Sequence, residues 1–199
     1  MWLMRAPLVL ASRSVIRRAV LEAAGIPVEV SPADVDERVI EAGAGSSSPA
    51  AVAALLARSK AAAVSARMPG RIVIGADQTL TLGRRRFSKP ADRAAARQQL
   101  LALRGQSHEL HSAVAVVRDE AVLYGGVEVA RLTMRRFSEA FLDRYLDEAG
   151  PAVTASVGGY QLERIGIHLF ERIDGDHFTI LGMPILPLLA FFRRERLVA

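Results

Sequence analysis

Residues 8–30 read LVLASRSVIRRAVLEAAGIPVEV. The short apolar run at 7–11 ends in small residues, the pattern of a buried strand. From Ser14 the apolar positions Val15, Ile16, Ala19, Val20, Ala23 and Ala24 recur at helical spacing, and Gly25 with Pro27 closes the helix. Residues 28–30 then read as a second strand. Strand, helix and strand in succession open an α/β pattern.

The rest of the chain extends that pattern and mixes it. Glycine and serine fill 43–48, a loop, after which Ser48 caps a helix with Pro49 in its first turn. This helix runs to about residue 67 and carries Lys60. Residues 71–76 (RIVIGA) are β-branched and form a strand ending at Gly75-Ala76-Asp77. Gly83 with the arginines 84–86 reads as a hairpin tip before Ser88-Lys89-Pro90. Pro90 opens a helix over 91–103 that Gly105 ends. Two strands at 107–118 and 121–135, joined by Asp119-Glu120, form an antiparallel pair. Ser138 caps a helix to 148, and 150–160 is a small-residue loop with room for a short helix. Residues 167–173 are a strand, 175–184 a loop and 184–194 a final helix. The expected class is α/β, with a mixed, twisted sheet and flanking helices.

The chain has 199 residues, 51% hydrophobic and 24% charged. That length predicts one domain over 1–199, or two small lobes sharing a cleft. A core this size needs no metal or disulfide staple. Cysteine is absent, which excludes a disulfide scaffold, thiolate zinc sites and a cysteine nucleophile. High apolar content with low net charge excludes disorder. The apolar stretch 183–192 holds two prolines and is too short for a membrane span. Residues 1–11 lack the apolar core of a signal peptide, so a cytoplasmic protein without membrane attachment is expected.

Lysine and arginine number 26 against 21 acidic residues, a formal net charge of +5. Only Lys60 and Lys89 are lysines; the other 24 are arginines. The excess reads as a solvated arginine-rich surface, as a nucleic-acid-binding face, or as a cleft for a small polyanion. No basic stripe or known nucleic-acid motif is present, so no stable nucleic-acid complex is expected. Lysine is a compact point charge and arginine a planar fork, so the two retained lysines mark positions where the difference counts.

Three stretches concentrate chemistry at strand or helix ends, where α/β folds bind ligands. In LVLASRSVIRR (8–18), Ser12, Ser14 and the free N–H groups opening the helix can hold a phosphate, with Arg17 in the first turn; the plain alternative is an N-cap at Ser14 with surface arginines. In IGADQTL (74–80), Asp77 stands at the end of an apolar strand, a poor place for an unpartnered charge. Such a carboxylate binds a cation, acts as a base, or is a capping or salt-bridged aspartate. In PADVDE (32–37), the acids are solvated loop residues, or Asp36 or Glu37 supplies oxygen ligands for magnesium or manganese. His108 and His111 are three apart on a strand and face opposite sides, which argues against a shared metal. His168 and His177 read as core or surface histidines. Ser12 and Ser14 lack the histidine or lysine pattern of a nucleophile.

Taken together, and in this order, these stretches resemble the Maf family of nucleoside triphosphate pyrophosphatases nearly end to end. The opening segment, DVDE, the Lys60 helix, IGADQTL, SKP, ALRGQSHELHSAVAVV and FERIDGDHFTILGMP follow the family order. The resemblance implies two lobes around a central nucleotide cleft, as in related inosine triphosphatase-like folds. It implies hydrolysis between the α and β phosphates, giving a nucleoside monophosphate and pyrophosphate, with a divalent cation (Mg2+ or Mn2+). By position, Asp77 matches the general base. Ser12, Arg17, Lys60 and Lys89 match the phosphate-holding set, and Glu37 with Asp77 the metal set.

Departures from the family pattern bear on the base. The family's Ser-x-Ser-Pro-Arg-Arg turn has Val15 and Ile16 here, Gln78 follows the aspartate, and Glu163 stands in the late Tyr-x-x-Gln-Gly segment. Ile16, Gln78 and Glu163 are the positions linked to base choice. Gln78 and Glu163 resemble the branch preferring 7-methyl-GTP, which has tryptophan at the position of Ile16. A carboxylate accepts hydrogen bonds from guanine N1–H and its amine, and is favoured by the charge that N7-methylation adds. The alternatives are a dTTP/UTP pyrophosphatase and a non-catalytic, nucleotide-binding regulator of cell division. A homodimer is the default assembly.

Overall fold

The opening strand–helix–strand forms as a parallel unit. The structure, a computed structural model, describes residues 1–45 and 47–199. Strand β1 (Leu8–Leu10) pairs in parallel with β2 (Val28–Val30), Leu8 opposite Val28, and α1 (Val15–Ala23) is the crossover between them. Ser14 caps α1, its Oγ accepting the Arg17 N–H at 3.3 Å. After α1 the chain turns at Gly25, whose φ of 73° is open to glycine at little cost.

An element not anticipated follows. Asp36 Oδ1 accepts the N–H groups of Arg38 and Val39 at 3.0 and 3.2 Å and caps α2 (Glu37–Gly43). The acids of PADVDE therefore include a helix cap, which a reading of them as loop residues overlooks. The loop expected over 43–48 begins where α2 ends, and Ser46 within it lies outside the described residues. Ser48 caps α3 (Pro49–Ser65) as expected.

Strand β3 corrects a second expectation. It spans Val73–Leu82, so Asp77 lies inside the strand and not at its end. The polar pair Asp77-Gln78 mimics a strand terminus, but Thr79, Leu80, Thr81 and Leu82 continue with good strand formers. The second half is held by β4 (Arg85–Phe87), antiparallel, with Leu80 opposite Phe87 across the Gly83 turn. Helix α4 (Arg93–Leu103) starts later than Pro90 because Asp92 is its cap, the side chain accepting Ala95 N–H at 2.7 Å. Strands β5 (Ser107–Arg118) and β6 (Ala121–Met134) follow, then α5 (Glu139–Ala149) under its Ser138 cap. Residues Ile165–Leu169 form a 3-10 turn, which delays β7 to Phe170–Asp174. The loop expected at 175–184 contains one helical turn, α6 (His177–Ile180), before α7 (Ile185–Arg194).

The seven strands form one mixed sheet in the order β2-β1-β3-β5-β6-β7, with β4 on β3. Two compact units divide the chain: Met1–Gln78, His111–Glu128 and His177–Ala199 in the first, Thr79–Leu110 and Val129–Asp176 in the second. In the first unit β1 is buried on both faces. Leu8 and Leu10 join Leu21, Ile74, Phe191 and Phe192, whereas Val9 and Ala11 join Ala61, Val64 and Val73. Double burial explains why β1 reads as an unbroken apolar run. Among the described residues no helix is long and apolar enough to cross a membrane.

Candidate functional site

The site is built on α3 and β3 of the first unit. Buried positions of α3 recur as Val52, Leu56, Lys60 and Val64, so Lys60 stands on the helix's apolar stripe. A lysine there must carry its charge to a partner. Its Nζ donates to Asp77 Oδ1 at 2.6 Å and lies 2.8 Å from Glu37 Oε1. The side chains of Lys60 and Asp77 are 11% and 10% exposed, and that of Glu37 is 53% exposed. Asp77 is thus a salt-bridged aspartate, and the ammonium it holds is shared with a second carboxylate. Of the two acids left open in the sequence, Glu37 turns to Lys60 while Asp36 caps α2.

Arg17 is fixed from two directions. Its Nε donates to Gly182 O at 3.0 Å and its Nη1 to Ala76 O at 2.7 Å, with Ser12 Oγ 3.4 Å from Nη1. Nη2 takes part in none of these bonds. Burial pushes the guanidinium pKa down, and the charges of Asp77 and then Glu37 oppose that. Arg17 therefore lies in the field of the same two carboxylates that hold Lys60. Ser12 Oγ also accepts the Ser14 N–H at 3.2 Å. Both turn hydroxyls take N–H groups of this chain, and each keeps an O–H to donate.

Gln78, next to Asp77, faces the other way. Its Nε2 is 2.8 Å from Ser112 Oγ, 3.1 Å from Thr179 O and 3.0 Å from Ile180 O. Two carbonyl oxygens admit only the NH2 end of the amide, which leaves Oε1 as an acceptor. Ser112 and the turn 179–182 lie in two of the motif segments, ALRGQSHELHSAVAVV and FERIDGDHFTILGMP, but the sequence assigns them no role; the available signal is a serine inside the apolar run of β5. Ile16 is half-buried in the first turn of α1.

Lys89 and Glu163 belong to the second unit. Lys89 is exposed in the segment between β4 and α4, where Gln99 Nε2 donates to Ser88 O at 2.9 Å. Glu163 is exposed, and after burial its charge is the next cause that raises the Tyr145 phenol. Tyr145, Glu148, Gln161 and Arg164 line a cavity of about 350 Å³ within that unit.

Among the described residues no group of three or more histidine, aspartate or glutamate side chains could hold a metal by itself; the two carboxylates of the first unit's site, Asp77 and Glu37, both bond Lys60. A hard divalent cation such as Mg2+ is commonly held by one or two carboxylates plus substrate phosphates and water, and this donor set fits that mode.

Comparison with known proteins agrees with the order of the motifs. The family described as Maf-like protein matches residues 7–195. A nucleoside triphosphate pyrophosphatase of Rhodopseudomonas palustris (strain BisB18) is 57% identical over 100% of this chain and 98% of its own. One of Bradyrhizobium diazoefficiens is 59% identical over the same shares, and a 7-methyl-GTP pyrophosphatase of Brucella abortus is 49% identical over 98% of this chain and 99% of its own. The chain belongs to the Maf-like protein family.

Proposed function

We propose that this protein is a nucleoside triphosphate pyrophosphatase that cuts between the α and β phosphates, releasing a nucleoside monophosphate and pyrophosphate. The observation that carries the reading is Lys60, buried and shared between Asp77 and Glu37, in the unit that also carries Arg17. Two cations and two carboxylates in one site can grip a polyanion and still offer a base. The relatives' names support the same reading.

In the proposed reaction Asp77 orients a water and takes its proton as the oxygen attacks the α phosphorus. The bond from that phosphorus to the bridging oxygen breaks, and pyrophosphate leaves with the electron pair. Arg17 Nη2 and Lys60 Nζ stabilise the charge growing on the phosphates. Ser12 donates its hydroxyl, and Lys89 is proposed as a further phosphate contact. Asp77 and Glu37 would hold a divalent cation, Mg2+ or Mn2+, which when bound supplies charge neutralisation at phosphate oxygens.

For the base we propose a preference for 7-methyl-GTP, carried by Glu163, whose carboxylate suits the donors and positive charge of N7-methylguanine. The Brucella relative supports this choice. Gln78 would add its Oε1 acceptor, and Ile16, without an aromatic face, would add weak contact to a cationic base. The test is a panel of canonical and methylated triphosphates with Mg2+ or Mn2+ and pyrophosphate detection. Preferred turnover of 7-methyl-GTP that shifts away from it in Glu163→Gln supports the assignment. A dTTP or UTP preference removes the base assignment and keeps the reaction. Absence of turnover on every nucleotide removes the reaction.

A further inference from the structure

We infer that Ser112 and Gln78 are positioning residues that aim Arg17 through the turn 179–182. The inference rests on the phosphate role proposed above for Arg17, although its structural half stands without it.

Ser112 is fully buried in β5, on the strand face it shares with Val114 and Val116, where a hydroxyl costs stability unless it is bonded. Its Oγ donates to Thr179 O at 2.6 Å. The same carbonyl takes Gln78 Nε2 at 3.1 Å and Gly182 N–H at 3.0 Å, and Ile180 O takes Gln78 Nε2 at 3.0 Å. Two side chains from two strands thus hold the end of α6 and the turn behind it. That turn closes on Gly182, whose φ is +79° and whose carbonyl receives Arg17 Nε at 3.0 Å. A Cβ at Gly182 would lie 3.3 Å from both Nε and Nη2 of Arg17 and 3.7 Å from Gln78 Cδ, so the arginine and the amide pack on the turn directly.

A guanidinium acts as a planar fork, and its direction is set by whichever N–H groups are already taken. Here Gly182 O takes the Nε edge, and Gly182 is placed by the Ser112 and Gln78 bonds. Loss of the Ser112 hydroxyl leaves Thr179 O with weaker support and lets the carbonyl of Gly182 drift. The direction of Nη2 drifts with it. Ser112→Ala suits the test, because it removes one hydroxyl from a small side chain and adds no volume, so the fold persists.

The experiment compares the intact chain with Ser112→Ala, Arg17→Ala and the double variant. On the preferred triphosphate, Ser112→Ala should lower kcat ~10-fold with little change in KM, since small misplacements of a positioned group cost rate. In the Arg17→Ala background the same change should cost nothing further. Losses that multiply in the double variant would overturn the inference, because Ser112 would then act without Arg17. The second readout needs no turnover: hydrogen exchange at the Arg17 Nε–H, observed by NMR and assigned by its absence in Arg17→Lys. This proton should be slow to exchange in the intact chain and at least ~10-fold faster in Ser112→Ala. Unchanged exchange overturns the inference. Faster exchange in Ser112→Ala, together with an intact chain that turns over no nucleotide, would keep the positioning role and discard the proposed reaction.

Discussion

Lys60 Nζ meets Asp77 Oδ1 at 2.6 Å, and a glycine two residues before the aspartate makes that approach possible. Gly75 and Asp77 share one face of β3. A Cβ at Gly75 would collide with the backbone oxygen of Ala57 and come within 2.7 Å of the Ala61 nitrogen, the residues that bracket Lys60 on α3. The helix lies on the strand backbone to backbone at this point. Gly75→Ala should therefore push α3 off β3, costing about 1–3 kcal/mol as overpacking does. Turnover should fall much more than stability, because the lysine retreats from Asp77. Denaturant unfolding and kinetics measure the two; full activity in a destabilised variant would sever the glycine from the site.

Asp77 and Lys60 should separate cleanly by variant. Asp77→Asn keeps the shape of the side chain, and Lys60 still has Glu37, so the fold should survive while turnover drops by orders of magnitude. Lys60→Met leaves Asp77 buried with its ammonium gone, and breaking a buried pair this way costs about 3–5 kcal/mol. Near-normal activity in Asp77→Asn would remove it from the role of base. A Lys60→Met variant as stable as the parent would show that water already reaches the pair.

Part of the geometry around Lys60 can be read in the sequence, and the parts that cannot have physical reasons. The serine caps at 14, 48 and 138 carry a local signal, because a cap is a hydroxyl beside its own helix. Lys60 was legible as one of two lysines, and its place in the Val52, Leu56, Val64 stripe gives its burial. Asp36 misled because a cap and a solvated loop acid look alike in sequence. Asp77-Gln78 misled because strands normally end where charge begins, whereas here Lys60 neutralises the charge from another element. For Ser112 the serine inside an apolar strand is visible but its pairing is not: its partner Thr179 is 67 residues away, and no local pattern encodes that contact.

The two neighbouring acids of DVDE should divide their roles. Asp36→Ala removes a cap and should cost about 1 kcal/mol of stability, with metal-dependent activity retained. Glu37→Gln should leave stability nearly unchanged, since the group is half-exposed, and should weaken Mn2+ binding in the presence of pyrophosphate. Electron paramagnetic resonance of free Mn2+ reads the second effect. Tight Mn2+ binding in both Glu37→Gln and Asp77→Asn would dismiss these carboxylates as the metal's ligands.

His108 gives the second unit a pH dependence of defined sign. It is 1% exposed, its Nε2 lies 2.7 Å from the Tyr160 hydroxyl, and Nδ1 has no partner among the described residues. Burial lowers its pKa from 6.5 to about 4, and burial likewise pushes the Tyr160 phenol up, so both rings stay neutral in the fold. Between these two pH values the unfolded chain binds a proton that the folded chain refuses. Stability from this group is complete above pH 6.5 and is lost as the pH falls toward 4, by up to about 1.4 kcal/mol per pH unit and about 3 kcal/mol in all. In His108→Gln that dependence should vanish. The stability gap between parent and variant, measured by denaturant unfolding from pH 7.5 to 4.5, should shrink steadily on acidification as the parent weakens. A gap constant across the range would mean that His108 takes up its proton inside the fold, which a ring this buried, with Nδ1 unpaired, can do only by opening to water.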